Sequence, residues 1–359
     1  MTKNLDIELM RIFASFFVIF NHTGNRGFFL FSVQQDKMSF AFWVYLLIGI
    51  FCKFSVPLFF AIAGALMLNR DSETLGRLWK KRILRIFLLL IFWSVIYYFI
   101  DVYYSNGKTH LDFITFFKRF YSKNWNFSYW YLYTYIPFLM TLPFLQRLVK
   151  NMTNTEFLYL FSLMIIVNGL LPEYQYLFWQ DTLNINGQIK PSWVLTNIVI
   201  YPCLGYFLQY RVKDSWNKKR LSLLWLANLM TIGISALMTY YKCDVTDVWI
   251  ESKSQTFFNS FVIINCVTIF VTCQYICMHH DFGQIARNII YSVGGCTFGI
   301  YLLHICLKDR VLKRYWDVLL KDLGLNSMLA AFVFCGMVFI LWYIITLSLK
   351  KIPYLRRLV

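Results

Sequence analysis

Charge is scarce in this chain, and acidic charge is scarcest. Only 15% of the 359 residues are charged, with 18 Asp and Glu against 35 Lys and Arg. Soluble globular domains carry about 25% charged residues, so an ordinary soluble fold is excluded. The nine cysteines are scattered and form no CxxC pair, which leaves neither a disulfide framework nor a redox motif. They read as apolar fillers. Cys273, Cys277, His279 and His280 (CQYICMHH) come nearest to a metal-binding pattern, but zinc sites draw on better separated ligand pairs, and no metal is expected. Periodic repeats, long polar linkers and low-complexity tracts are also lacking, so residues 1–359 read as a single domain with no fused soluble domain. The first apolar segment has no small-residue cleavage site and contains Arg11. It is therefore expected to stay in the mature protein rather than act as a signal peptide.

Hydrophobic residues make up 58% of the sequence and aromatics 20%, with a mean hydropathy of +0.53. The expected fold class is all-α, a polytopic membrane protein. Segments long enough to cross a hydrocarbon core lie near residues 7–23, 40–68, 83–105, 129–149, 156–173, 192–210, 221–241, 257–278, 291–307 and 327–349, about ten in all. Basic residues crowd alternate connections: Arg77 to Arg85, then Arg147 and Lys150, then Arg211 to Arg220, and finally Lys350, Lys351 and Arg356. The positive-inside rule makes these ends cytoplasmic, together with both termini, in a multi-pass protein of the cell membrane, most simply a bacterial plasma membrane. Two basic stretches break the alternation, one with Lys108, Lys118, Arg119 and Lys123 and the other with Lys308, Arg310, Lys313, Arg314 and Lys321. They form either a collar for membrane lipid headgroups or a dock for a polyanionic or pyrophosphate-linked acceptor. Much of the +17 net charge thus has a topological or lipid explanation, and nucleic acid is not an expected partner.

Chemistry-bearing side chains recur inside the apolar segments. Arg11 and His22 stand eleven positions apart in the first one. At about 1.5 Å per residue and 100° per step they share a helix face, roughly 16 Å apart along the axis. They either anchor to the interface or serve function, since a charge at membrane depth is costly. Lys53 sits in the middle of the second segment, ahead of Val56-Pro57-Leu58-Phe59-Phe60-Ala61-Ile62-Ala63-Gly64-Ala65-Leu66. There proline bends the helix and small residues permit close helix approach. Lys81, Arg82 and Arg85 open the third segment; they are a topology signal or a site for a phosphorylated cytosolic ligand. His304 ends the run Thr297-Phe298-Gly299-Ile300-Tyr301-Leu302-Leu303-His304 at the same expected level as His22.

In combination these features resemble acyltransferase family 3, membrane proteins that transfer acyl groups, most often acetyl, to cell-surface carbohydrates. The resemblance rests on Arg11 and His22 with ten residues between them, VPLFFAIAGALML at 56–68, KRILR at 81–85, YWYLYTYIPFLMTLPFL at 129–145 and TFGIYLLH at 297–304, in family order. It implies that Arg11 and His22 serve acyl transfer and that Arg82 and Arg85, with Lys81 beside them, serve acyl-CoA, with acetyl-CoA the expected donor. Tyr301 and His304 join the site through their motif. Ala63 departs from the family pattern, where serine is common; this argues for packing there. The acceptor implied is an envelope glycan, such as an exopolysaccharide, or a lipid-linked saccharide. A separate extracytoplasmic transferase is a further implied partner, since no hydrolase-like domain is fused to the chain.

A histidine of near-neutral pKa suits deprotonation of an acceptor hydroxyl, and Lys53 or a backbone group could face the tetrahedral oxyanion. A transient acyl group on His22 is the alternative. The competing function is a multi-pass exporter or flippase of lipid-linked saccharides, in which Arg, Lys and His would line a transport path. Dependence on acyl-CoA separates the two.

Overall fold

A computed structural model describes residues 4–71, 73–104, 112–179, 186, 191–192, 194–246, 257–306, 308–309, 312–324, 326–353 and 355–357. Among these there is no strand, as expected where every backbone polar group must be satisfied within its own segment. The principal helices are α1 (Leu5–Asn21), α2 (Phe40–Phe51), α3 (Ser55–Met67), α4 (Leu84–Tyr104), α5 (Phe113–Ser122), α6 (Trp130–Asn151), α7 (Asn154–Met164), α8 (Leu171–Trp179), α9 (Asn197–Tyr210), α10 (Lys218–Thr246), α11 (Val262–His279), α12 (Gln284–Cys306) and α13 (Ser327–Lys350).

All ten apolar segments expected from the sequence contain helix, but seven helices among the described residues are long and apolar enough to cross a membrane. The three that fall short do so for different reasons. Helix α1 has 17 residues and carries Asp6, Glu8 and Arg11. Helix α9 has 14 residues, against the roughly 20 a span needs. Helix α6 is 22 residues long, but Tyr131, Tyr133, Thr134, Tyr135, Gln146, Arg147 and Lys150 dilute its apolar character.

Hydrocarbon cannot solvate the charges of α1, and α1 is accordingly an inner helix, packed against α3, α11, α12 and α13. Helix α10 shows the opposite logic: Leu223, Leu226, Leu229, Met230 and Leu237 are exposed along it, as suits a helix whose outer face meets lipid. The tightest seam joins α3 to α9. A Cβ built on Gly64 would lie 2.0 Å from the Pro202 carbonyl oxygen, and one on Gly205 would lie 1.8 Å from that of Ala61. The two backbones therefore touch, as the small residues of α3 suggested. Helix α2 gives way to α3 through a single tight turn, Cys52–Phe54, ahead of Pro57.

Contacts between loops show that the expected cytoplasmic connections gather at one end. Lys213 pairs with Asp6 at the start of α1 (3.1 Å), Lys150 pairs with Asp71 (3.5 Å), and Arg211 donates to the Met152 carbonyl (3.2 Å). At the other end Arg26 lies 5.7 Å from the Trp316 ring, and Tyr45 meets Asn326. Lys108 and Arg310 lie outside the described residues.

Candidate active site

Arg11 projects from α1 into a cavity of about 460 Å³ that opens toward the basic end, lined also by Arg70, Lys81, Arg82, Arg85, Tyr131, Tyr135 and Tyr301. Five cationic side chains thus converge on one hollow. Two carboxylates hold two of them. Glu8 Oε1 accepts from Arg11 Nη1 at 2.8 Å, one helical turn away. Glu73 accepts from Arg82 through both Nε (3.2 Å) and Nη2, the fork geometry that suits guanidinium to oxyanions. The Arg82 guanidinium holds the Glu73 carboxyl below the usual carboxylate range. Trp79–Ile83 form a π-turn at the head of α4, a local distortion common at functional sites. Both Arg82 and Arg85 reach the same cavity across it.

The far wall of this cavity is aromatic. Tyr131 stacks on Tyr135 at 5.7 Å and meets Tyr301 edge-on at 5.7 Å. Tyr301 donates its hydroxyl to the Ser128 carbonyl, and Tyr129 donates to the Leu302 carbonyl at 3.0 Å, so the turn that leads into α6 is stitched to α12 here. One turn beyond Tyr301, His304 is fully buried, with Nδ1 2.7 Å from the Tyr301 carbonyl oxygen.

His22 follows the last turn of α1, its backbone N–H bonded to the Ile19 carbonyl at 3.1 Å. Its ring centroid stands 5.1 Å from that of His304 and 5.5 Å, edge-on, from that of Phe127. The equal depth expected for the two histidines is what the fold provides. Immediately past them lies a second cavity of about 560 Å³, bounded by Thr23, Asn25, Arg26, Asp101, Trp125, Phe127, Lys308, Asp309 and Trp316 among others. Neither histidine bounds either cavity directly; the pair is packed between Tyr301, which lines the inner cavity, and Thr23, Phe127 and Ile305, which line the outer one.

Lys53 lies midway along the Phe40–Met67 span, as the sequence suggested. That midpoint is the tight turn between α2 and α3, and it sits near the His22 end of α1, since Asn21 Nδ2 bonds both the Cys52 carbonyl (3.2 Å) and Ser55 Oγ (2.8 Å). Its ammonium lies 5.0 Å from the Phe28 ring, outside the residues that bound either cavity. Ala63, where the family pattern has serine, borders the inner cavity while α3 packs on α9.

Several participants were not anticipated from the sequence, Arg70, Glu8, Glu73 and Phe127 among them. Glu8 had a signal, a carboxylate three residues before Arg11. Phe127 and Glu73 had none, because a loop residue's neighbours depend on how the loop folds back. Among the described residues no cluster of three or more His, Cys, Asp or Glu could hold a metal.

A family model described as an acyltransferase domain, that of acyltransferase family 3, matches residues 4–347 of the chain. No curated protein and no solved structure matches it.

Proposed function

The chain belongs to acyltransferase family 3 and is a membrane acyltransferase, and from that premise we propose that it takes acyl-CoA from the cytosolic side and acylates a glycan hydroxyl on the other. The observation that carries this reading is the position of His22 and His304 between the two cavities.

The inner cavity suits the donor. Arg82 and Arg85, with Lys81 and Arg70 beside them, offer the planar forks and ammonium that phosphates select, and the nucleotide end of CoA carries the charge to match. Arg11, fixed by Glu8, stands deeper, where it would orient the donor rather than anchor its phosphates. The thin acyl-bearing arm would then reach the histidine pair past the Tyr301 and Tyr131 rings. Acetyl is the donor group proposed, as the family's commonest.

The outer cavity suits the acceptor. Phe127 and Trp316 supply flat apolar faces, and Asn25, Asp101 and Asp309 supply planar polar groups, the combination that sugar rings with their alternating C–H and O–H surfaces favour. An envelope glycan or a lipid-linked saccharide would present its hydroxyl to His22. As the hydroxyl attacks the thioester carbonyl, His22 takes its proton, and the proton finally resides on the departing thiol. Lys53, on the His22 side of the molecule, adds positive potential where the oxyanion develops.

His22→Ala tests the assignment. Purified in lipid nanodiscs, the variant should retain wild-type yield and thermal stability and lose transfer from radiolabelled acetyl-CoA by at least about 100-fold, the lower end of what a positioned base supplies. Near-normal transfer would remove His22 from the chemistry. Mass spectrometry of surface glycans from cells with and without the gene identifies the acceptor and the group added.

A further inference from the structure

One hydrogen bond orients the His304 ring. Its Nδ1 lies 2.7 Å from the Tyr301 carbonyl oxygen. A carbonyl only accepts, so Nδ1 must carry the hydrogen, and in the neutral ring Nε2 is then a bare lone pair. That lone pair is buried and unpartnered, on a side chain with 0% exposure. The neighbouring ring has the complementary deficit: His22 Nδ1 is also buried without a partner. Two imidazoles joined by an N–H···N hydrogen bond of about 3 Å have centroids roughly 5 Å apart, and these stand at 5.1 Å, tilted by 45°. As the rings stand, the two nitrogens are not hydrogen-bonded.

We propose that His304 accepts the Nδ1–H of His22 and so holds His22 in the tautomer whose Nε2 is the reactive nitrogen. The logic is that of a base oriented by a third group, with a backbone-anchored histidine where a carboxylate often stands. The chain of bonds runs from the Tyr301 carbonyl through the His304 ring to His22. Each link fixes the tautomer of the next. When His22 Nε2 takes the acceptor proton, the developing charge is shared along the Nδ1–H···Nε2 bond, and no proton leaves His304. His304 is therefore a positioning residue, and this role rests on the reading of His22 as the reactive group. It would hold equally for His22 as base or as acyl carrier, since both need the Nε2 lone pair.

Two conservative variants separate this role from simple packing. In His304→Asn the side-chain amide can replace the Nδ1–H donor to Tyr301 but reaches no further, so the acceptor facing His22 is lost. In His304→Gln the longer side chain can return an oxygen acceptor near the Nε2 position while the bond to Tyr301 is lost. The expected result is that His304→Asn lowers kcat by about 100-fold or more with KM for acetyl-CoA unchanged, and that His304→Gln retains several-fold more activity than Asn. The reverse order, Asn active and Gln impaired, would show that only the anchor to Tyr301 matters and would overturn the proposal. Full activity in both variants would overturn it as well. His22→Ala run in parallel keeps the two claims apart. If it is active, the reading of His22 fails; if it is dead while both His304 variants are active, only the role of His304 fails.

Discussion

Arg82 is held by a carboxylate in a cavity that otherwise collects positive charge, and this has a measurable consequence. Glu73 occupies the same edge of the guanidinium that a phosphate would use, so on the proposed reading the donor displaces or shares it. An ion pair with side chains 25% and 29% exposed is worth roughly 0.2–1 kcal/mol after solvent screening. Glu73→Gln should therefore lower the KM for acyl-CoA by up to about fivefold and leave kcat alone; a raised KM would make Glu73 a positioning residue instead. Arg82→Ala should raise KM roughly tenfold to a hundredfold, the loss of a charge-assisted contact worth about 1.5–3 kcal/mol, and Lys should rescue it only in part. The pH dependence of the pair follows from its sign. Because the carboxyl titrates below its ordinary value of 4.5, the pair is fully present at neutral pH and is lost only as pH falls through that depressed value. The difference in KM between wild type and Glu73→Gln should then be constant from pH 6 to 8, to be read from donor titrations at about unit pH intervals.

At the scale of elements, the seam between α3 and α9 positions the inner cavity, since Phe59, Ile62, Ala63 and Leu66 on α3 face that cavity while Ala61 and Gly64 meet α9. Adding even a methyl at Gly205 or Gly64 would meet backbone rather than a side chain able to move. Overpacking of this kind typically costs about 1–3 kcal/mol and sometimes more. Gly205→Ala and Gly64→Ala should each lower the melting temperature in detergent and lower acyl transfer with it. Gly233→Ala is the control, because nothing lies within 4 Å of a Cβ there. It should be neutral or slightly stabilising, alanine being favoured over glycine in a helix by about 1 kcal/mol. Equal behaviour of all three variants would mean that the seam is not tight.

For the whole molecule, the direction of the proposed acyl movement depends on which end faces the cytosol. The clustering of Asp6 with Lys213 and Asp71 with Lys150 gathers basic connections at the end where the cationic cavity opens, and the positive-inside rule would place that end inside. Single cysteines at Gln35 and Ser215, in a cysteine-free background that still transfers an acyl group, test this with a membrane-impermeant maleimide on intact cells. Both positions are solvent-facing. Gln35→Cys should label and Ser215→Cys should not. The opposite pattern would turn the enzyme over and put His22 on the cytosolic side.

The sequence by itself determined the membrane class, the all-helical fold and the family. Each depends on local composition or spacing: apolar length, the distribution of Lys and Arg, and the ten residues between Arg11 and His22. Spacing along one helix also placed that pair correctly at different depths. Tertiary structure alone decided what faces what. It set His304 against His22 across 282 residues of chain, turned the chain at Lys53 beside Asn21, and brought Glu73 back onto Arg82. It also separated helices that can stand in lipid from α1, whose charges need protein around them. Periodicity records which face of a helix is apolar but not which helix will cover it. Neither the inner nor the outer cavity was therefore legible before the helices were packed.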